Sequence, residues 1–266
     1  MLFEVPENYL PFLSERQPDV RLQIYSGFLP SWNTSSPVFE THGLWSLYWD
    51  DGRWVLACMP VNGEPLLVAI FAPDFCSGNV YLRIPWAEQK MRCPLSYPLD
   101  ELLFINLLAR QRGVLVHAFA VKDGNEGLLF AGVSEAGKST SARIWQQQQG
   151  VTLLSDDRVI LRKRDGQFWM YGTPWHGDAR IASPEGGPLN RIFVIQHAPQ
   201  NYAVKLSAVE MAAHLLVRAF PTFWYAEGMD FALKFLDELV QTVPCYELGF
   251  VPDSSVVDFV RCLPSG

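Results

Sequence analysis

Gly132-Val133-Ser134-Glu135-Ala136-Gly137-Lys138-Ser139 places glycine, then glycine-lysine-serine, at the spacing G-x-x-x-x-G-K-[ST]. Each fixed residue has a task in holding a polyphosphate. The glycines let consecutive backbone N–H groups converge on phosphate oxygens, and a helix starting at the second glycine adds its partial positive charge. Lys138 reaches the β and γ phosphates and Ser139 ligates Mg²⁺. The expected nucleotide-binding set is Gly132, Ser134, Ala136, Gly137, Lys138, Ser139 and Thr140, with ATP and Mg²⁺ as cofactors. Glu135, an acid inside an anion cradle, is expected to point outward, because like charge at that range repels.

Asp156 and Asp157 follow in "LLSDD", one short helix beyond the loop. Adjacent carboxylates at the end of an apolar strand can divide two duties, one oxygen set near Mg²⁺ and the other accepting a proton from an attacking hydroxyl. We take Asp156 as the metal ligand with Ser139, and Asp157 as the proton acceptor. A motor or switch nucleotidase carries its acidic metal strand much later, so this early pair favours phosphoryl transfer. A nucleotide sensor without catalysis is the second reading, and an ATPase that drives a partner is the third. His117 stands in the apolar run "VLVHAFAV", as a hydrogen-bonded core residue or as part of the site. Trp175, His176 and Asp178 are candidates to line an acceptor pocket or to form a plain surface loop, and Arg180 and Arg191 are candidates to balance phosphate charge.

The pattern around these residues predicts the elements that hold them. "GLLFAGV" reads as the strand that feeds the loop and "TSARIWQQQQG" as the helix that leaves it, while "VTLLSDDRVILR" and "QFWMYG" read as strand material. "RIFVIQHA" and "CYELGF" are further strands, and "SAVEMAAHLLVRAF", "DFALKFLDELVQTV" and "SSVVDFVRCL" are helices. Before them, "RLQIY", "LWSLYW", "RWVLACM", "PLLVAIFA" and "VYLRI" are β-rich and separated by "DDG", "NGEP" and "CSGN" turns, the pattern of an antiparallel sheet. Trp45, Tyr48, Trp49, Trp54 and Tyr81 are read as packing aromatics. The prolines of "RCPLSYPLD" mark a boundary before the helical run "LDELLFINLLARQRG". The expected organisation is an α/β fold: a smaller antiparallel β-rich domain over 1–95, then a P-loop kinase-like α/β domain over 96–266.

Composition narrows the function classes. With 49% hydrophobic and 18% charged residues the chain buries a substantial core. A formal charge of −7 argues against a general nucleic-acid binder, whose phosphate contacts demand a basic surface. No run approaches the roughly 18 apolar residues of a spanning helix, and the first residues lack the pattern of a signal peptide, so a cytoplasmic protein is expected. The five cysteines are scattered, with no C-x-x-C pair, and suggest neither a disulfide framework nor a zinc site.

"HAFAV", "GVSEAGKST", "LLSDDRVIL" and "GTPW" together resemble the HPr kinase/phosphorylase and phosphoenolpyruvate carboxykinase superfamily, in particular its uncharacterised HPr-kinase-related branch. The resemblance runs from about Leu99 to Pro264. It implies a fold of the phosphoenolpyruvate carboxykinase and HPr kinase type, loop roles for Lys138 and Ser139, metal and acid/base roles for Asp156 and Asp157, and a supporting role for His117. It implies transfer of a γ-phosphoryl group to a hydroxyl, on a serine of a peptide or protein or on a small alcohol, and allows a homo-oligomer. "GTPWHGDARIA" carries no glutamate where HPr kinases have a Glu-Ile-Arg-Gly segment, which separates this chain from HPr-directed members.

Overall fold

Asp51 and Gly52 turn the chain with φ of 45° and 72°, and Asn62 and Gly63 with φ of 53° and 80°. Both are left-handed pairs whose twist matches the flanking strands, so each of these turns folds the chain back on itself. The computed structural model describes residues 4–41, 43–58, 60, 62–83, 93–132 and 136–264. They fall into two units, 1–110 with 222–226, and 111–221 with 227–266.

The first unit is one sheet of six strands: β1 (Arg21–Gly27), β2 (Phe39–Thr41), β3 (Trp45–Asp50), β4 (Arg53–Cys58), β5 (Leu67–Phe71) and β6 (Ser77–Arg83), in the order β1-β6-β5-β4-β3-β2. All neighbours are antiparallel except β1, which lies parallel to β6 with Arg21 opposite Ser77. The predicted strands are present and the short β2 is added. The aromatics pack as expected: Trp45 lies 5.3 Å from Phe39 and 5.4 Å from Trp224, and Tyr81 stacks on Tyr25 at 5.1 Å.

Helix α1 (Leu99–Leu108) buries Leu99, Leu102, Leu103 and Leu107 in this sheet's core. The division therefore falls after Arg110, where the sequence pattern had set it before residue 96. Prolines interrupt the β pattern there, but the leucine stripe that follows belongs to the sheet already made.

The second unit is a nine-stranded sheet with helices on both faces. Its strands are β7 (Val114–Asp123), β8 (Glu126–Ala131), β9 (Val151–Ser155), β10 (Arg158–Arg164), β11 (Gln167–Tyr171), β12 (Gly186–Pro188), β13 (Arg191–His197), β14 (Tyr202–Lys205) and β15 (Cys245–Phe250). Their order is β12-β11-β10-β7-β8-β13-β15-β14, with β9 also on β7. Helices α3 (Ala208–Leu216) and α4 (Ala226–Thr242) cover one face, sharing a core with Val116, Leu129 and Leu154. Helices α2 (Lys138–Gln146) and α5 (Ser255–Arg261) cover the other, around the fully buried Trp145, Phe130 and Phe193. Among the described residues no helix is long and apolar enough to cross a membrane.

Two features of this sheet place the chemistry. β8, β13 and β15 are mutually parallel, so their C-terminal ends share one edge, where ligands of open α/β sheets bind. On the other side of β8, the ten-residue β7 is flanked along its second half by β9 and along its first half by β10. The chain thus steps from one to the other at Asp156 and Asp157, level with His117.

Candidate functional site

Gly137 has φ 88° and caps α2, and a Cβ there would lie 2.7 Å from the His197 ring and 2.8 Å from Phe250. Both the conformation and the space require glycine. Gly132 is nearly as tight, since a Cβ would meet Ala136 and Ile195 at 3.0 Å. The register of β13 on β8, Val194 opposite Ala131, brings Ile195 and His197 alongside the loop. Ala136 is buried, Ser139 half-buried in the first turn of α2, and Thr140 exposed. Ser134 and Glu135, with the orientation expected of the latter, lie outside the described residues.

The Lys138 ammonium donates to the Gly132 carbonyl at 2.8 Å, bridging the two ends of the loop. Burial, then repulsion from Arg218, holds its pKa below the ordinary lysine value, while the charge of Asp157 pulls the other way. Lys138, Asp157 and Arg218 therefore share one electrostatic neighbourhood.

Asp157 is the centre of it. Its Oδ1 lies 3.0 Å from His117 Nδ1 and its Oδ2 accepts from Arg158 Nη1 at 2.7 Å. Burial raises its pKa, but the hydrogen bond from His117 and the charges of Arg158, His117 and Lys138 outweigh that and hold the carboxyl below its ordinary 3.8. The Arg158 guanidinium sits over the Phe220 ring, 4.4 Å from its centre. His117 stands opposite Arg158 in the β7–β10 register, and its own N–H donates to the Arg218 carbonyl at 2.7 Å. The sequence left His117 between core and site; the structure places it against Asp157 with about a third of its side chain exposed (34%).

Asp156, the expected metal ligand, is held by a different set of groups. It is 3% exposed and accepts three backbone N–H bonds, from Gly177 at 2.9 Å, Ala179 at 2.7 Å and Ile181 at 3.2 Å. These donors engage both of its oxygens, so it acts as the anchor of the 172–183 loop. Ser155 Oγ and Thr173 Oγ1 also donate to the Trp175 carbonyl, and Arg143 of α2 reaches the Asp178 carbonyl. The anchored loop passes close to Asp157: a Cβ on Gly177 would be 3.4 Å from the Asp157 Cβ. Trp175 is half-buried there, while His176, Asp178 and Arg180 are exposed. Arg191 is also reassigned. It is 3% exposed, donates to the Val260 carbonyl at 3.0 Å and pairs with Glu126, so it fastens α5 to the sheet.

Sequence reasoning missed Arg218 and Arg158 as members of the site. Arg218 follows α3, whose start is fixed by a Ser207–Glu210 capping box. Residues after that helix run back along β7, with Phe220 N–H donating to the Leu115 carbonyl at 2.9 Å and Ala219 bridging Val116. Arg218 is 7% exposed and its Nε has no hydrogen-bond partner among the described residues. No motif marks it. The nearest signal is an arginine directly following a capped amphipathic helix in a chain that carries the G-x-x-x-x-G-K-S pattern. Arg158 could have been read from its position next to the acidic pair.

Lys138 and Arg158 thus gather around one carboxylate, with Arg218 beside Lys138, next to a helix N-terminus, which suits a polyanion. The donor chemistry fits a nucleotide phosphate. For Mg²⁺ the fit is narrower. Ser139 lies in the first turn of α2, Asp156 accepts three backbone N–H bonds, and among the described residues no group of three or more His, Cys, Asp or Glu could hold an ion. An ion here would arrive with the nucleotide, whose phosphates and water supply most of its ligands.

No family model matches the chain, and no curated protein matches it. Among solved structures it is similar to the Hpr(Ser) kinase/phosphatase from Coxiella burnetii, at 14% identity over 55% of this chain and 90% of that one, with a TM-score of 0.32.

Proposed function

We propose that the second unit binds a nucleoside triphosphate with Mg²⁺ and transfers its γ-phosphoryl group to a hydroxyl acceptor, on a serine of a peptide or protein or on a small alcohol. The observation that carries this reading is the hydrogen-bonded cluster His117–Asp157–Arg158 within electrostatic reach of Lys138. A nucleotide sensor needs the cradle alone and would leave this cluster without a task. Phosphoryl transfer needs a proton-handling group beside the terminal phosphate and cations to meet the charge on its oxygens.

In this reading the loop amides and Lys138 hold the β and γ phosphates. Arg218, with its unpartnered Nε, turns to the γ oxygens, and Ser139 contributes a ligand to Mg²⁺, which neutralises phosphate charge when bound. The His117–Asp157 pair takes the acceptor's proton. The Asp156-anchored loop presents Trp175 and His176 as one wall of the acceptor site.

Two measurements on the full chain test the proposal. A nonhydrolysable ATP analogue with Mg²⁺ should raise the melting temperature of the wild type, since ligand at 100 times Kd adds about 2.7 kcal/mol, and Lys138→Ala should remove most of that gain. γ-Labelled ATP should yield labelled phosphoryl product with water or a serine peptide as acceptor. Binding without any transfer or release of label would reduce the protein to a sensor.

A further inference from the structure

We infer that His117, through its Nε2, is the group that takes the proton from the attacking hydroxyl, and that Asp157 is the carboxylate that orients it. The inference rests on the phosphotransferase reading and reverses the division expected from sequence, in which Asp157 is the base and His117 supports it.

One ring nitrogen of His117 has two polar neighbours. His117 Nδ1 is 3.0 Å from Asp157 Oδ1 and 2.8 Å from Arg158 Nη1. An ionised carboxylate only accepts and a guanidinium only donates, so Nδ1 cannot satisfy both. If Nδ1 lacks a proton, its lone pair serves Arg158 and faces an anionic oxygen that then has no donor from the ring. If Nδ1 carries the proton, it serves Asp157, and Arg158 loses little, because its Nη1 already donates to Asp157 Oδ2 at 2.7 Å. A partly buried carboxylate oxygen without a donor is the costlier loss, on the order of 1–3 kcal/mol or more for a charged group. In the neutral ring the proton therefore sits on Nδ1, and Nε2 on the opposite side is the unprotonated nitrogen.

Three further observations agree. No hydrogen bond is formed by Nε2 among the described residues, while the side chain is partly open to solvent. The ring is held at its root, since His117 N–H donates to the Arg218 carbonyl at 2.7 Å and Ala118 N–H to the Asp157 carbonyl at 3.1 Å. Asp157 has both oxygens engaged and, against the pull of burial, is held acidic by those partners, which makes it a poor proton acceptor and a good anchor for an imidazolium.

The step balances simply. The acceptor oxygen forms a bond to Pγ as the bond from Pγ to the β,γ-bridging oxygen breaks. The bridging electron pair leaves with the nucleoside diphosphate, and the hydroxyl proton passes to His117 Nε2, from which solvent removes it.

The first test needs no activity. ¹⁵N-detected spectra of the imidazole in the full chain should show the tautomer protonated at Nδ1; protonation at Nε2 alone would overturn the inference and return the base role to Asp157. The second uses water as acceptor and follows γ-labelled phosphate release from ATP. His117→Ala should lower the rate by about 10²–10⁴-fold, leave affinity for the nonhydrolysable analogue within about threefold, and recover at least tenfold when imidazole is added at tens of millimolar. Asp157→Asn should fall by a similar factor without imidazole rescue, because its histidine is present but wrongly oriented. A His117→Ala protein that keeps its rate, or that is folded and binds the analogue but is not rescued, would sink the assignment. Failure of the wild type to bind the analogue would sink the nucleotide reading instead, and the tautomer would still be decided.

Discussion

Asp156 and Asp157 are neighbours of identical chemistry, yet one is spent on architecture and the other on charge. Asp156→Asn puts an amide where a carboxylate oxygen accepted from Ala179 N–H or from Gly177 and Ile181 N–H, leaving at least one donor facing a donor. The expected cost is about 1–3 kcal/mol, a fall in melting temperature of about 2–4 °C per kcal/mol. The dependence of analogue binding on Mg²⁺ concentration should be unchanged in the folded variant, and a tenfold higher Mg²⁺ concentration needed for the same binding would identify Asp156 as a metal ligand. Asp157 makes a pH-dependent prediction. Its folded-state pKa is depressed, so its stabilisation is complete above the ordinary 3.8 and is lost as pH falls through the lower folded value. In urea titrations the deficit of Asp157→Asn should shrink steadily as pH falls below 4.

At the scale of elements, the strand and the helix that flank the glycine-lysine-serine motif were legible because their residues adjoin in sequence. The hairpins were legible from Asp-Gly and Asn-Gly for the same reason. What escaped was set by partners distant along the chain. The duty of Asp156 depends on amides of residues 177–181, and the presence of Arg218 depends on its segment lying beside β7. Leucine spacing predicted α1 correctly, but periodicity does not say which sheet a stripe will cover. The loop that Asp156 anchors also depends on a residue chosen for its lack of side chain. A Cβ on Gly172 would come within 2.1 Å of the Ser183 carbonyl oxygen and 2.3 Å of the Leu154 carbonyl oxygen, both backbone atoms that cannot swing aside. Gly172→Ala should therefore prise the 172–183 loop from β9, at about 1–3 kcal/mol of stability. In the proposed reading that loop forms the acceptor wall and not the cradle, so label transfer should fall by at least tenfold while affinity for the ATP analogue stays within threefold.

For the whole molecule, the path of the chain ties the two units' sequences together in a way no single cut respects. The first unit takes residues 1–110 and then reclaims 222–226 from the middle of the second unit's sequence. Trp224 is the reason: its ring packs 5.4 Å from Trp45 and 5.1 Å from Phe39, and its Nε1 donates to Asn106 Oδ1 of α1 at 3.0 Å. A fragment ending at residue 95 loses both α1 and Trp224, exposing the sheet face that Leu99, Leu103 and Leu107 cover, and should aggregate. A fragment of residues 1–110 keeps the helix and lacks only the return segment 222–226 with its tryptophan, so it should fold with reduced stability. In the full chain Trp224→Ala should then cost about 2 kcal/mol or more, from lost aromatic contact and from an Asn106 amide oxygen left without its donor. The readout is hydrogen exchange: amides of β3 to β6 and α1 should gain exchange by about an order of magnitude or more, while those of β8, β13 and β15 keep their protection. Equal acceleration in both sheets would mean that the units open together, and that the five-residue return segment carries cooperativity as well as packing.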